Sequence, residues 1–225
     1  MKKTLLIAAT FLMFLAITPQ AKAQEVSTGL DIYSSYVWRG IKFGSGVAFQ
    51  PYVEFSAGGF ALGAWGSYCA STDEAAEADL YASYGFDLGE NASLSLTVTD
   101  YYFPSPGTSW MEGENHFIEP MVSAGFGAVS LTAAYMLYDG AGTNGEGSGD
   151  LYLEAAVTAG PVDITLGGGN GAYSMKEDAG FDICNIGISS SKEIKITDDF
   201  SLPVSGAAIL NPSYESFHIV VGISL

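Results

Sequence analysis

Beyond residue 23 the chain is organised by a period of two. Val129, Leu131, Ala133, Tyr135 and Leu137 alternate with Ser130, Thr132, Ala134, Met136 and Tyr138. Leu94, Leu96 and Val98 stand against Ser93, Ser95, Thr97 and Thr99, and Leu151, Leu153, Ala155 and Val157 against Tyr152, Glu154 and Ala156. Leu80, Ala82, Tyr84 and Phe86 stand against Asp79, Tyr81, Ser83 and Gly85. Successive side chains of a strand point to opposite faces, whereas a helix would place apolar residues three or four apart. The pattern predicts about a dozen strands, each near the length a tilted membrane strand needs.

The connections alternate as well. Ala57-Gly58-Gly59, Gly89-Glu90-Asn91, Gly125-Phe126-Gly127, Ala159-Gly160-Pro161 and Thr197-Asp198-Asp199 read as tight turns. Between them fall longer polar stretches: Gly40 to Gly46, Ser71 to Glu77, Ser105 to Asn115, Gly140 to Gly149 and Ser174 to Gly180, with a short one around Asn211 to Ser213. Long loops at one end and short turns at the other are the habit of outer-membrane barrels. Both termini on the turn side require an even number of strands. The last segment sets Phe217, Ile219, Val221, Ile223 and Leu225 against His218, Val220, Gly222 and Ser224. It looks like the apolar-ended terminal strand that barrel assembly machinery reads, with Leu225 where Phe is usual. Lipid leaves no backbone group unpaired, so the first strand (about Ser27 to Arg39) and the last (about Tyr214 to Leu225) must pair. The expected fold is therefore all-β: a closed antiparallel transmembrane β-barrel of about 12 strands. An exported β-sandwich would share the alternation but not the loop asymmetry.

The first 23 residues differ. Lys2 and Lys3 precede an apolar run from Leu5 to Thr18, and Ala21-Lys22-Ala23 is a small-x-small cleavage site. That predicts a signal peptide over 1–23 and a barrel over 24–225. Three of the eight basic residues and none of the 25 acidic ones lie in 1–23, so the remainder carries a net charge of −20. Nucleic acid is excluded as a partner, because neutralising phosphates needs clustered Lys and Arg. The expected partners are outer-membrane lipids, lipopolysaccharide, the assembly machinery and small solutes, in a bacterial outer membrane. The strand order sets Cys69 and Cys184 far apart around the barrel, which predicts two free thiols.

Alternation also assigns a lumen face. It holds Asp31, Tyr33, Gln50, Tyr52, Glu54, Trp65, Ser67, Asp79, Tyr81, Glu119, Tyr152, Glu154, Asp163 and Asn185, with Arg39 expected at the end of strand one. Arg39 is the only arginine in the chain. Carboxylates there must be wet, share protons, or pair with it. Two readings stay open: an acidic, cation-preferring pore, or an interior locked into one hydrogen-bond network. Tyr36, Trp38, Tyr68, Tyr101, Tyr102, Phe103, Trp110 and Tyr138 lie near the loop ends of strands and are expected to form an interfacial aromatic girdle. The acidic loop residues Asp73, Glu74, Glu77, Glu112, Glu114, Asp139, Glu146, Asp150, Glu177 and Asp178 read as a solvated surface. The stretch from Asp139 to Asp150 has Ala141 and Thr143 where a calcium loop needs ligands.

No enzyme, cofactor or metal is expected. A serine hydrolase needs a histidine oriented by a third group, and neither His116 nor His218 accompanies a Gly-x-Ser-x-Gly elbow. Two histidines make a zinc site improbable. Gly167-Gly168-Gly169-Asn170-Gly171 lacks the lysine and helix of a phosphate loop. A lipid-modifying barrel enzyme remains the third alternative, behind the pore and the plugged barrel.

One string is more particular. Asp31-Ile32-Tyr33-Ser34-Ser35-Tyr36-Val37-Trp38-Arg39-Gly40 resembles the opening strand of the TorF-type porins, whose first strand ends in Tyr-Val-Trp-Arg-Gly. Gln50-Pro51-Tyr52-Val53-Glu54, Gly63-Ala64-Trp65-Gly66 and Asp79-Leu80-Tyr81-Ala82-Ser83-Tyr84 are also similar. The likeness covers roughly the first third of the chain after residue 23. Beyond it only Asn185-Ile186-Gly187-Ile188-Ser189 and the stretch from Lys192 resemble the family in pattern. The resemblance implies a barrel and a pore, with no solute attached.

Overall fold

The alternating segments become strands in a computed structural model that describes residues 24–71, 76–104, 107, 109–140, 149–176 and 178–225. In chain order they are β1 (Glu25–Tyr33), β2 (Tyr36–Trp38), β3 (Ile41–Phe43), β4 (Ala48–Ala57), β5 (Phe60–Cys69), β6 (Glu77–Asp87), β7 (Ala92–Tyr102), β8 (His116–Phe126), β9 (Val129–Tyr135), β10 (Tyr138–Asp139), β11 (Leu151–Ala159), β12 (Val162–Gly169), β13 (Asp182–Lys195), β14 (Ser201–Asn211) and β15 (Ser216–Ser224). Single 3₁₀ turns span Gly113–Asn115 and Gly171–Tyr173. The expected signal peptide lies outside the described residues, as do Asp73, Glu74, Glu146 and Glu177 of the acidic loops.

Twelve of these strands close into one antiparallel barrel in the order β1, β4, β5, β6, β7, β8, β9, β11, β12, β13, β14, β15. Each pairs with its neighbour in sequence. The ring closes where Asp31, Ile32 and Tyr33 lie opposite Ser224, Ile223 and Gly222. Leu30 and Leu225 extend that seam by exchanging both backbone hydrogen bonds, at 3.1 and 3.0 Å. Closure removes every edge, so the ladder has no unpaired rim to offer another chain. β10 is a short continuation of β9, bonded to β8.

Tight turns gather at one end. Ala57 pairs with Phe60, Phe126 with Val129 and Ala159 with Val162 across two residues. The first central residue in each is glycine with φ of +66°, +59° and +65°. Such turns carry the twist of the flanking strands, and glycine enters the left-handed region at little steric cost. The longer connections gather at the other end.

The two faces of the wall differ. Val53, Leu62, Leu80, Val98, Leu131 and Ile188 point outward and are 45–51% exposed. The inner face carries Gln50, Ser67, Glu77, Asp79, Glu119 and Asn185, all buried.

The opening strand departs from expectation. It was expected to run to Arg39 but ends at Tyr33, and Gly40 to Gly46 is not simply a loop. After Ser34-Ser35 the chain forms a second, two-stranded sheet from β2 and β3, with Tyr36, Val37 and Trp38 opposite Phe43, Lys42 and Ile41. Arg39 and Gly40 link them with φ of +51° and +80°. Positive φ at both central residues is the signature of a type I′ hairpin. Arg39 therefore occupies the tip of a hairpin, not the end of a wall strand. The hairpin folds into the barrel and reaches its far wall.

Candidate functional site

The hairpin tip organises the interior near the loop ends. Arg39 Nη1 and Nη2 donate to Glu119 Oε2 and Oε1 of β8 at 2.6 and 2.8 Å. This two-pronged pair matches the planar guanidinium to the planar carboxylate. Arg39 Nη1 also donates to the Tyr173 hydroxyl at 2.6 Å, and the Tyr101 hydroxyl donates to Glu119 Oε1 at 3.1 Å. The guanidinium carbon sits 4.3 Å from the Trp38 ring centroid and 4.4 Å from that of Tyr152. With side-chain exposures of 9% and 2% for Arg39 and Glu119, almost nothing of the pair reaches solvent. Burial pushes the Tyr173 hydroxyl up to about 12, against the pull of the adjacent Arg39, so it stays neutral.

The backbone of the tip is fixed too. The buried Asn211 amide donates to the Gly40 carbonyl at 3.1 Å, while its own oxygen accepts from the Tyr214 N–H at 3.0 Å. A Cβ at Gly40 would collide with the Cys184 carbonyl of β13, so only glycine lets the tip approach that wall. Tyr36 packs against Phe43 and Trp65, and Trp38 against Phe43, Tyr101 and Tyr173. From its root between β1 and β4 the hairpin thus spans to β8, β13 and β14.

Room for these rings comes from a run of glycines on β12. A Cβ at Gly167 would strike Tyr152, and one at Gly169 would meet Tyr173 at 2.5 Å. The glycine run has a packing cause, visible only once both tyrosines are placed.

Below the hairpin, towards the tight turns, the inner face is polar and partly exposed. Tyr81 donates to Glu54 at 2.8 Å and Thr158 to Asp163 at 2.6 Å. The two levels are joined by buried Tyr152, which donates to Glu154 at 2.5 Å, and by Asn185, which donates to both at 3.1 Å. Asp31 faces inward opposite Gln50, and Tyr33 opposite Ala48. By strand register these wall residues share the face of the buried Gln50, Asp79, Glu119 and Asn185, and they divide into two levels. Asp79, Glu119 and Tyr152 belong to the hairpin level, and Glu54, Tyr81 and Asp163 to the open one.

The aromatic set splits. Tyr68, Tyr102, Trp110 and Tyr138 lie on the outward side near the loop ends, where Tyr102 packs 4.4 Å from Trp110 and 4.8 Å from His116. Trp38 does not, because the hairpin carries it into the interior, and Tyr36, Tyr101 and Phe103 are interior as well. Glu77, Tyr101, Tyr173 and Asn211 are the site residues that the lumen list omitted. Glu77, expected among the solvated loop carboxylates, instead opens β6 in phase with Asp79 and is buried, because the strand starts earlier than its polar flank suggests, and Tyr101 follows from continuing the alternation two residues past Thr99. Tyr173 sits in a loop turn, where alternation gives no signal.

His116 has both ring nitrogens occupied, Nδ1 by Asp100 at 2.8 Å and Nε2 by the Trp110 carbonyl at 2.8 Å. His218 lies 3.2 Å from the Ser216 hydroxyl. Cys69 and Cys184 are free and fully buried. No group of three or more potential metal ligands occurs among the described residues.

A closed antiparallel barrel with an inward hairpin clasped to its far wall defines the class of architecture. Over residues 18–197, well over half its length, the chain matches a family described as bacterial protein of unknown function (Gcw_chp), and it belongs to that family. The match includes the hairpin and every site residue except those on β14 and β15. No curated protein matches it.

Proposed function

We propose that the protein is an outer-membrane β-barrel that passes small solutes, cations ahead of anions, through a lumen narrowed by the β2–β3 hairpin. The observation that carries this reading is the inversion of the wall, apolar outside and polar within. Burying an outward Leu, Ile or Val in lipid stabilises by about 1.5–3 kcal/mol each, whereas in water the same face is a liability. Long loops would then face outward and tight turns the periplasm. The excess of inward carboxylates over the single Arg39 favours cations. The resemblance to the TorF-type porins points the same way. Boiled and unboiled outer-membrane fractions should differ in gel mobility, and purified protein in a planar bilayer should give conductance steps with cation selectivity. Recovery in the soluble periplasm with unchanged mobility would overturn the proposal.

One observation favours a second reading, a barrel occluded at the hairpin level. Arg39, Gly40 and Trp38 bond to several walls at once. An occluded barrel gives no steps in the wild type and gains them when the hairpin is released by Arg39→Met.

The geometry favours a lipid-modifying enzyme less. A general base needs a free ring nitrogen, and neither nitrogen of His116 is free, while His218 lies 3.2 Å from the Ser216 hydroxyl but has no carboxylate hydrogen-bonded to its ring among the described residues.

A further inference from the structure

Between the hairpin and the loop ends of the wall lies a cavity of about 720 Å³. Its wall is mainly aromatic: Trp38, Phe43, Tyr101, Phe103, Phe117 and Tyr173. Trp38 meets Tyr101 edge-on at 5.6 Å and Phe43 stacks on Phe103 at 6.3 Å. Glu77 also lines it. Only 6% of Glu77 is exposed, and its Oε2 has no hydrogen-bond partner among the described residues. The other inward carboxylate on this strand end, Asp79, is equally buried, and its Oδ1 also lacks a partner. Tyr36 hydrogen-bonds Glu77, which leaves one oxygen of that carboxylate uncommitted.

A buried carboxylate oxygen without a partner is costly, and its natural complement is a donor or a cation. The protein's own cations do not supply one. Arg39 is committed to Glu119. Lys42 contributes to the cavity lining but is exposed and makes no ion pair among the described residues. Asp139 and Asp150 add further negative charge around the cavity. A hard metal ion demands six or more oxygen ligands, which aromatic walls cannot provide. A diffuse, weakly hydrated charge fits both halves of the site, since ring faces attract it and the carboxylate neutralises it.

We infer that this cavity binds a small organic cation, with Glu77 as its counter-ion and Trp38, Phe43 and Phe103 as its aromatic cage. The volume lies within the range of ligand pockets, about 300–1,000 Å³. Occupancy requires only the hairpin, β6 to β8 and the loop ends, so binding can be read whether or not the barrel conducts.

The test uses the full folded barrel in detergent, titrated with choline and with benzyltrimethylammonium while tryptophan fluorescence is followed. 3,3-Dimethyl-1-butanol serves as the uncharged isostere of choline. A saturable change is expected with at least one ammonium probe, and about tenfold or weaker binding of the isostere. Glu77→Gln should weaken ammonium binding about tenfold or more, while its heat-dependent gel mobility remains that of the wild type. Should that variant fail to fold, Phe103→Leu keeps an apolar side chain and removes a ring face, with a loss of several-fold expected. Failure of both ammonium probes to bind, equal binding of the isostere, or unchanged affinity in the variants would each overturn the inference. A barrel that conducts but binds neither probe would refute this site and leave the channel proposal intact.

Discussion

Replacing Arg39 by Met should release the hairpin without opening the barrel. The substitution keeps an unbranched stem among the Trp38, Tyr152 and Tyr173 rings but deletes both hydrogen bonds to Glu119. That carboxylate, 2% exposed, would retain only the Tyr101 hydroxyl at 3.1 Å. Removing one partner of a buried pair costs about 3–5 kcal/mol, most of it from stranding the other charge. Applied to the docked hairpin, that shifts the docked-to-released ratio by about two to three and a half orders of magnitude. The barrel ladder closes through β1–β15 without any hairpin residue, so its resistance to detergent at room temperature should persist. Hydrogen exchange read on the backbone amides of residues 36–43 measures the release directly. A cycle with Glu119→Leu isolates the pair: the double variant should lose less than the sum of the singles by about 2 kcal/mol or more. Exchange accelerated less than about threefold in Arg39→Met, or singles that add within about 0.5 kcal/mol, would refute the reasoning.

Three further outcomes follow from the same geometry. Gly40→Val places a side chain against the Cys184 carbonyl and demands a positive φ from a branched residue, so residues 36–43 should become accessible to added protease while the barrel core stays resistant. Leu96→Arg puts a charge on the outward face and should destabilise the folded barrel by about 2–4 kcal/mol in lipid vesicles, as measured by urea unfolding. A loss under about 0.5 kcal/mol would speak against a lipid-facing wall. Cys69 and Cys184, both at 0% exposure, should resist a maleimide in the folded protein and label together on unfolding, which mass spectrometry reads.

The wall was legible because a strand half in contact with each phase must alternate, and Val129 to Tyr135 or Leu151 to Ala159 could hardly be read otherwise. Turn glycines marked the register, and the uniform phase of Asp79, Glu119, Tyr152 and Glu154 marked the inside. The hairpin was not legible for the same reason. Tyr36-Val37-Trp38 alternates as well as any wall strand, and nothing in its period tells a strand inside the barrel from one in its wall. The clue was chemical: Arg39-Gly40 between apolar residues is a two-residue turn signal, placed where a wall strand would be too long. Tyr173 and Asn211 were beyond reach, since their roles exist only through contacts 134 and 171 residues distant in sequence.

Those separations carry a consequence for how the molecule is made. The hairpin belongs to an early part of the chain, but its tip is held by Glu119, Tyr173 and Asn211, and the last of these precedes only one barrel strand. No local encounter can seat it. Loop closure over such spans is slow compared with a tight turn, and the receiving surface does not exist until β13 and β14 are in position. Seating of the hairpin therefore waits until the strands that carry Glu119 and Asn211 are in position. A chain arrested before that step would have a wider bore than the finished protein, with Tyr36 and Trp38 not yet packed against Trp65, Tyr101 and Tyr173.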